Sequence, residues 1–258
     1  MGGDRERIRR DATPRAAVAE AAMVAMETAR RVLPWLTAMA LVTLGLGALI
    51  TKVLAHSALI AGDEEISREI AADRTPLWNQ ITHYASLLSD TPVIVVLTAV
   101  AAVIFRLAFH RWREAVFLAA AVCAQSAIFL LATVFAQRAR PHVPHLDPAP
   151  PTSSYPSGHT SAAVAFYCGV AVVLTLHTHR HRILNALWWL AGAGAPLSVG
   201  AARIYRGMHH VTDVGWGLVL GVFCVAVLAR AILLRPRRAV AAGHRTGDAG
   251  HRAEVTTG

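Results

Sequence analysis

The sequence predicts an all-α integral membrane protein, a bundle of six transmembrane helices. Three observations carry this expectation. Of 258 residues, 55% are hydrophobic and the mean hydropathy is +0.44, which sets the chain among membrane proteins rather than soluble domains. Six apolar runs, at 33–54, 91–109, 115–136, 161–176, 184–202 and 214–234, approach the roughly 20 residues needed to cross a bilayer. A backbone in hydrocarbon must satisfy its own hydrogen bonds, so each run reads as a helix. Arginines, finally, concentrate in alternate connections between the runs.

In chain order, residues 1–31 read as a cytosolic N-terminal extension, partly helical: 1–14 is polar without apolar periodicity, while 15–31 is rich in Ala, Met and Glu. The start lacks the Ser or Thr of a myristoylation signal, and no cleavable signal peptide is expected. A membrane domain spans 32–235. After its first run, 56–90 carries Asp63, Glu64, Glu65, Glu69 and Asp73, and a short amphipathic helix is expected at 66–72, before Thr75-Pro76. The stretch 137–155 holds five prolines and reads as an irregular loop. The run at 161–176 is short for a span unless it extends back toward His159. Residues 236–258 read as a disordered cytosolic tail.

The loops give an orientation. Arg5, Arg7, Arg9, Arg10, Arg15, Arg30 and Arg31 precede the first run; Arg106, Arg111 and Arg113 join the second and third. Arg180 and Arg182 join the fourth and fifth, and Arg235, Arg237 and Arg238 follow the sixth. Six spans put these regions on one side, so both termini are expected in the cytoplasm. The connections 56–90, 137–159 and 203–213 then share the extracytoplasmic face.

Composition also excludes some functions. The net charge is +9, yet no basic stripe is interleaved with aromatics, so no nucleic-acid partner is expected. Cys123, Cys168 and Cys224 all lie in apolar runs, which argues against a disulfide framework or a zinc site.

The chemistry concentrates in Arg203-Ile-Tyr-Arg-Gly-Met-His-His-Val-Thr-Asp213. Ionisable residues beside a hydrocarbon core are costly, which makes them functional candidates. On a helix from His209 onward, His209 and Asp213 would share a face. The carboxylate could then hold one imidazole nitrogen and leave the other as nucleophile or base. The loop before the fourth run supplies Arg138-Ala-Arg140-Pro141 and Pro156-Ser157-Gly158-His159. A Pro-Ser-Gly turn entering a helix leaves N–H groups free for an anion, and His159 at that mouth could transfer a proton. Arginine forks suit phosphoryl oxygens.

Arg140-Pro141, then Pro156-Ser157-Gly158-His159, then Arg203-x5-His209-x3-Asp213 resemble, in order, the three signature motifs of the type 2 phosphatidic acid phosphatase (PAP2) superfamily. The motifs cover about 133 to 213, and the six-span pattern extends the likeness. The resemblance implies that His209 is the nucleophile forming a phosphohistidine, that Asp213 orients it, and that His159 is the general acid and base. It implies that Arg140 and Arg203 clamp the phosphoryl group with Ser157 and Gly158, and that no metal or cofactor is needed. Two positions depart from the pattern. Thr133 stands where the family has lysine, for which Arg138 or Lys52 could compensate, and Ala202 stands where serine is common.

Other readings of the same residues are plainer. His142, His145 and Asp147 could suggest a metal, but a solvated loop fits their prolines better. Arg138 reads as an interfacial anchor, His210 and Arg206 as neighbours of the motif. His177, His179 and His181 belong to the other face, and Trp188, Trp189 and Trp216 to spans or interfaces. The expectation is a lipid phosphatase acting on a phosphate monoester or diphosphate, phosphatidic acid-like or undecaprenyl diphosphate-like. The alternatives are a lipid phosphotransferase using the same intermediate, and an impaired lipid-phosphate binder because of Thr133. Partners are lipid substrate and membrane lipids; the sequence leaves the oligomeric state open.

Overall fold

The computed structural model describes residues 14–234. The expected tail at 236–258 and the first part of the N-terminal extension lie outside the described residues, as do most arginines at both ends. Within them the chain is helical, without a strand. Helix α1 (Pro14–Ala48) continues through a π turn, Leu49–Val53. Two shorter helices follow, α2 (Ala58–Ala72) and α3 (Pro76–Leu87). Then come α4 (Thr91–Phe109), α5 (Arg113–Ala136), α6 (Gly158–His177, with a π turn at Val164–Cys168), α7 (Arg182–Tyr205) and α8 (Val211–Leu233). Six of these have the length and composition to cross a membrane: α1 through Ala25–Val53, and α4 to α8. The protein is an integral membrane protein.

The short fourth run resolves simply. Ser157 caps α6, so the helix starts at Gly158 and gains the turn it needed. The segment between α1 and α4 departs further from expectation. Its acidic helix is longer than 66–72, and α3 was not anticipated. The local signal for α3 is nonetheless clear: Thr75 accepts a hydrogen bond from the Trp78 N–H and Pro76 occupies the first turn. Its polar residues Thr82 and Ser86 are buried, while Leu77, Trp78, Ile81 and Tyr84 are exposed. This inverts the pattern of a soluble amphipathic helix and suits one lying where bundle meets bilayer.

α6 is the most enclosed span, flanked by α5, α7 and α8. Glycine permits that closeness. A Cβ on Gly217 would stand 2.7 Å from the Ser157 carbonyl oxygen, and one on Gly221 2.5 Å from Val164 Cβ. The Gly217-x3-Gly221 face therefore seats α8 directly on α6. Apolar packing fills the bundle around Phe117, Leu118, Ala121, Phe166, Val173 and Val225. The one buried amide in α5, Gln125, accepts from the Ser161 hydroxyl at 2.7 Å.

The two ends differ in chemistry. At one end the turn after α4 meets the end of α6, where Arg111 lies 2.9 Å from His177. Arg113 there binds the Ile232 carbonyl at 3.0 Å. The other end gathers Asp90, the loop 137–157 and the turn 206–210.

Candidate active site

The loop 137–157 is fixed by its own backbone before it presents any side chain. Ser154 N–H binds the Arg138 carbonyl at 2.9 Å, and the Ser153 hydroxyl accepts from Arg138 N–H at 3.0 Å. Tyr155, fully buried, donates from its hydroxyl to the Thr43 carbonyl at 3.2 Å. Ser157 N–H reaches the Asp213 carbonyl at 3.0 Å, which ties the second motif to the third. Between α7 and α8 the chain reverses at Gly207, whose φ of +74° favours glycine.

These elements enclose a cavity of about 590 Å³ lined by Arg140, Gly158, His159, Arg203 and His209, together with His83, Ser86, Asp90, Phe129 and Asp147. Five of the seven expected site residues thus share one cavity. Ser157 and Asp213 lie behind it. The Ser157 hydroxyl is spent on capping α6, 2.9 Å from the Thr160 hydroxyl. It does not line the cavity; the Gly158 end of the turn does.

His209 is buried, and its Nδ1 lies 2.6 Å from the Ser154 carbonyl oxygen. A carbonyl only accepts, so Nδ1 carries the proton and Nε2 keeps its lone pair. Burial holds the His209 pKa well below the usual value; Arg203, Arg140 and His159 press it further down, against the opposing Asp213 charge. The ring is neutral and nucleophilic in form.

The expected direct Asp213–His209 hydrogen bond is absent, with 4.0 Å between Asp213 Oδ2 and Nδ1. Asp213 is engaged elsewhere. It accepts from His210 N–H at 2.9 Å and lies 3.3 Å from His210 Nδ1. Its other oxygen accepts from Arg138, which also binds Asp63 at 2.8 Å. Asp213 therefore acts on His209 through its charge, and the Ser154 carbonyl fixes the tautomer.

Arg140 donates to the Met208 carbonyl at 2.7 Å. Arg203 donates to Asp147 and to the Ser86 hydroxyl, each at 2.9 Å. Yet Nε of Arg140 and Nε of Arg203 are both buried without a partner. Buried donors are rarely left unpaired, because desolvation without a new bond costs about 1–3 kcal/mol. Both residues line the cavity, and each keeps an Nε–H that the protein leaves unused. Burial lowers the Arg140 pKa while Asp213 opposes, and an arginine shifted downward still carries its charge.

No substitute for the missing lysine enters the cavity. Thr133 bonds back to the Leu130 carbonyl at 2.8 Å. Arg138 is buried between Asp63 and Asp213, not an interfacial anchor and not part of this cavity. Lys52 is exposed on the π turn closing α1. The possible metal trio also disperses. His142 lies beside Glu64, His145 faces the Pro141 carbonyl, and Asp147 is held by Arg203 and Arg206. Burial would raise the Asp147 carboxyl, but the Arg206 hydrogen bond and both arginine charges outweigh it and hold the pKa low.

Sequence reading placed Asp63 and Glu64 on this face but missed their contacts with the third motif. Asp63 accepts from Thr212 N–H at 3.3 Å, and Glu64 lies 3.2 Å from His210 Nε2. Their acidic run was visible, but no local pattern relates it to residues about 150 positions away. Arg206 was assigned only a neighbouring role, yet it holds Asp147 through two contacts at 2.6 and 2.8 Å.

Fold and site together define an integral membrane helix bundle with an arginine- and histidine-lined cavity at one end. The comparisons point the same way: residues 112–237 match the PAP2 superfamily model. It is 39% identical over 72 residues to phosphatidylglycerophosphatase B of Bacillus subtilis (strain 168), a match spanning 27% of this chain and 34% of that protein. The chain thus spans about a third of that relative's length in alignment. The fold resembles the transmembrane PAP2-type phosphatidylglycerolphosphate phosphatase of Bacillus subtilis with a TM-score of 0.69 and 22% identity, covering 79% of this chain and 98% of the other. It also resembles LpxE of Aquifex aeolicus, with a TM-score of 0.50, 24% identity and coverage of 64% and 93%.

Proposed function

We propose that the protein is a membrane-bound lipid phosphatase that hydrolyses a phosphate monoester or diphosphate through a phosphohistidine intermediate. The observation that carries this is the cavity itself. A histidine with a free Nε2 lone pair faces the same space as two arginines whose buried Nε–H groups lack partners. A tetrahedral phosphoryl group supplies the oxygens that arginine forks lining such a space would bind.

In this reading His209 Nε2 attacks phosphorus as the P–O bond to the lipid breaks. His159 gives a proton to the departing oxygen. Water then attacks the phosphohistidine, its proton passes to His159, and the P–N bond breaks to release inorganic phosphate. Arg140 and Arg203 balance charge on the equatorial oxygens, with the amide end of α6 at Gly158 beside them. The Asp213 charge stabilises the His209 cation as phosphorus accepts its electrons.

The arginine-rich turns lie at the end of the bundle away from the cavity, which supports a cytoplasmic position for that end and an extracytoplasmic active site. A cavity opening where six apolar helices end favours amphiphilic substrates, phosphatidic acid-like or undecaprenyl diphosphate-like. The relative's name adds phosphatidylglycerophosphate to that panel. The test is phosphate release by purified protein from these lipids, for wild type and His209→Ala, with EDTA present. Release by wild type and none by the variant is expected; no release from any lipid overturns the proposal.

A further inference from the structure

We infer that Asp90 is a positioning residue for His159, holding its Nε2 so that Nδ1 is the nitrogen that exchanges protons with substrate. This rests on the proposed role of His159 as general acid and base. Asp90 is the N-cap of α4, a position where aspartate ordinarily accepts from the backbone N–H of the second or third helical residue. It makes no such bond. The second helical residue is Pro92, which has no N–H to offer. The carboxylate turns instead across the cavity, and Oδ1 lies 3.2 Å from His159 Nε2.

Both partners are held from behind. Asp90 N–H binds the Leu87 carbonyl at 3.2 Å, and Ile94 N–H binds the Asp90 carbonyl at 2.9 Å. The Tyr167 hydroxyl of α6 donates to the Leu88 carbonyl at 2.9 Å, which joins this turn to the helix that begins with Gly158-His159. The other carboxylate lining the cavity, Asp147, is occupied by Arg203 and Arg206. Asp90 is therefore the carboxylate available to the acid–base imidazole. A carboxylate accepts only, so Nε2 keeps its proton and donates it to Asp90 throughout. During transfer to His209 the Nδ1 proton goes to the leaving oxygen as the P–O bond breaks. During hydrolysis Nδ1 takes the proton of the attacking water. Asp90 remains ionised, and its charge stabilises the imidazolium present before the first step and again after the second.

The test compares kcat/KM of the full-length protein for phosphatidic acid and for 4-nitrophenyl phosphate. The first leaves as an alkoxide that needs a proton, the second as a phenolate that does not. Asp90→Asn should lower kcat/KM for phosphatidic acid by about tenfold or more, within the range of general acid catalysis. For 4-nitrophenyl phosphate, kcat/KM reports only the steps through loss of the phenolate and should stay within about threefold, and Asp90→Glu should recover part of the loss on phosphatidic acid. An equal loss on both substrates, or no loss on either, overturns the inference. An equal loss accompanied by a lowered melting temperature assigns Asp90 to stability alone. Wild-type turnover and its loss in His209→Ala are read in the same assay, so a failure of the proposed function registers separately from the Asp90 ratio.

Discussion

Arg138 and Asp63 form a buried ion pair at 2.8 Å, joining the loop before α6 to the helix that follows the first span. The same guanidinium also binds Asp213, so one cation serves two buried carboxylates. Truncating Arg138 leaves both carboxylates facing each other away from water. Breaking a buried pair by removing one partner costs about 3–5 kcal/mol. Arg138→Ala should destabilise the protein on that scale and abolish turnover. Asp63→Asn, which can still accept a hydrogen bond, should cost less, about 1–3 kcal/mol. Thermal unfolding in detergent checks the ranking; equal stabilities for Arg138→Ala and wild type would remove the clamp from the account.

The electrostatics of His209 give a pH prediction. In the proposed mechanism the neutral ring is the nucleophile, and burial with Arg203 and Arg140 lowers its pKa against the pull of Asp213. A lowered pKa keeps the base form present as pH falls, so protonation of the nucleophile should inactivate the enzyme only below the ordinary histidine value of about 6.5. In kcat/KM, which reports the free enzyme, the acid limb should lie below that value once the substrate phosphate's own titration is divided out. A limb at or above about 6.5 would mean that His209 is not desolvated as described.

The six spans were legible because membrane-crossing helices are specified by length and apolar content, both local properties. Arg140, His159, Arg203 and His209 were legible because each stands in a short motif whose spacing survives folding. What stayed hidden depends on contacts across the bundle. Asp90 and His159 are 69 positions apart, and the one local sign that Asp90 is not an ordinary helix cap, Pro92, does not say where its carboxylate turns. The partner of His209 Nδ1 was misassigned for a related reason. The i, i+4 spacing to Asp213 is right for a helix, but His209 precedes α8, and the loop carbonyl of Ser154 reaches the ring first.

Lys52 tests whether the absent motif lysine has a distant replacement. Its ammonium is exposed on the π turn at the end of α1 and is not among the residues lining the cavity. Exposed substitutions away from special features change stability by about 0.5 kcal/mol or less. Lys52→Ala should therefore leave the melting temperature and kcat/KM close to wild type, the latter within about twofold. A loss of tenfold or more would bring Lys52 into the substrate's electrostatic field.

The contact of α8 on α6 yields a prediction with an internal control, because two glycines on the same helix face different surroundings. A Cβ at Gly221 would stand 2.5 Å from Val164 Cβ and 2.8 Å from the Ser161 carbonyl oxygen, while one at Gly215 meets nothing within 4 Å. Backbone cannot yield as a flexible side chain can. Gly221→Ala must therefore push α8 away from α6, and overpacking of this kind costs about 1–3 kcal/mol. The first turns of these two helices carry His159 and Asp213, so the displacement should also reduce turnover. Gly215→Ala adds a methyl to an open helix surface and relieves glycine's backbone entropy, a gain of up to about 1 kcal/mol. Melting temperatures and kcat/KM of the two variants should diverge, with Gly221→Ala below wild type and Gly215→Ala at or above it. Equal behaviour of the pair would show that the α6–α8 approach does not govern the geometry of the cavity.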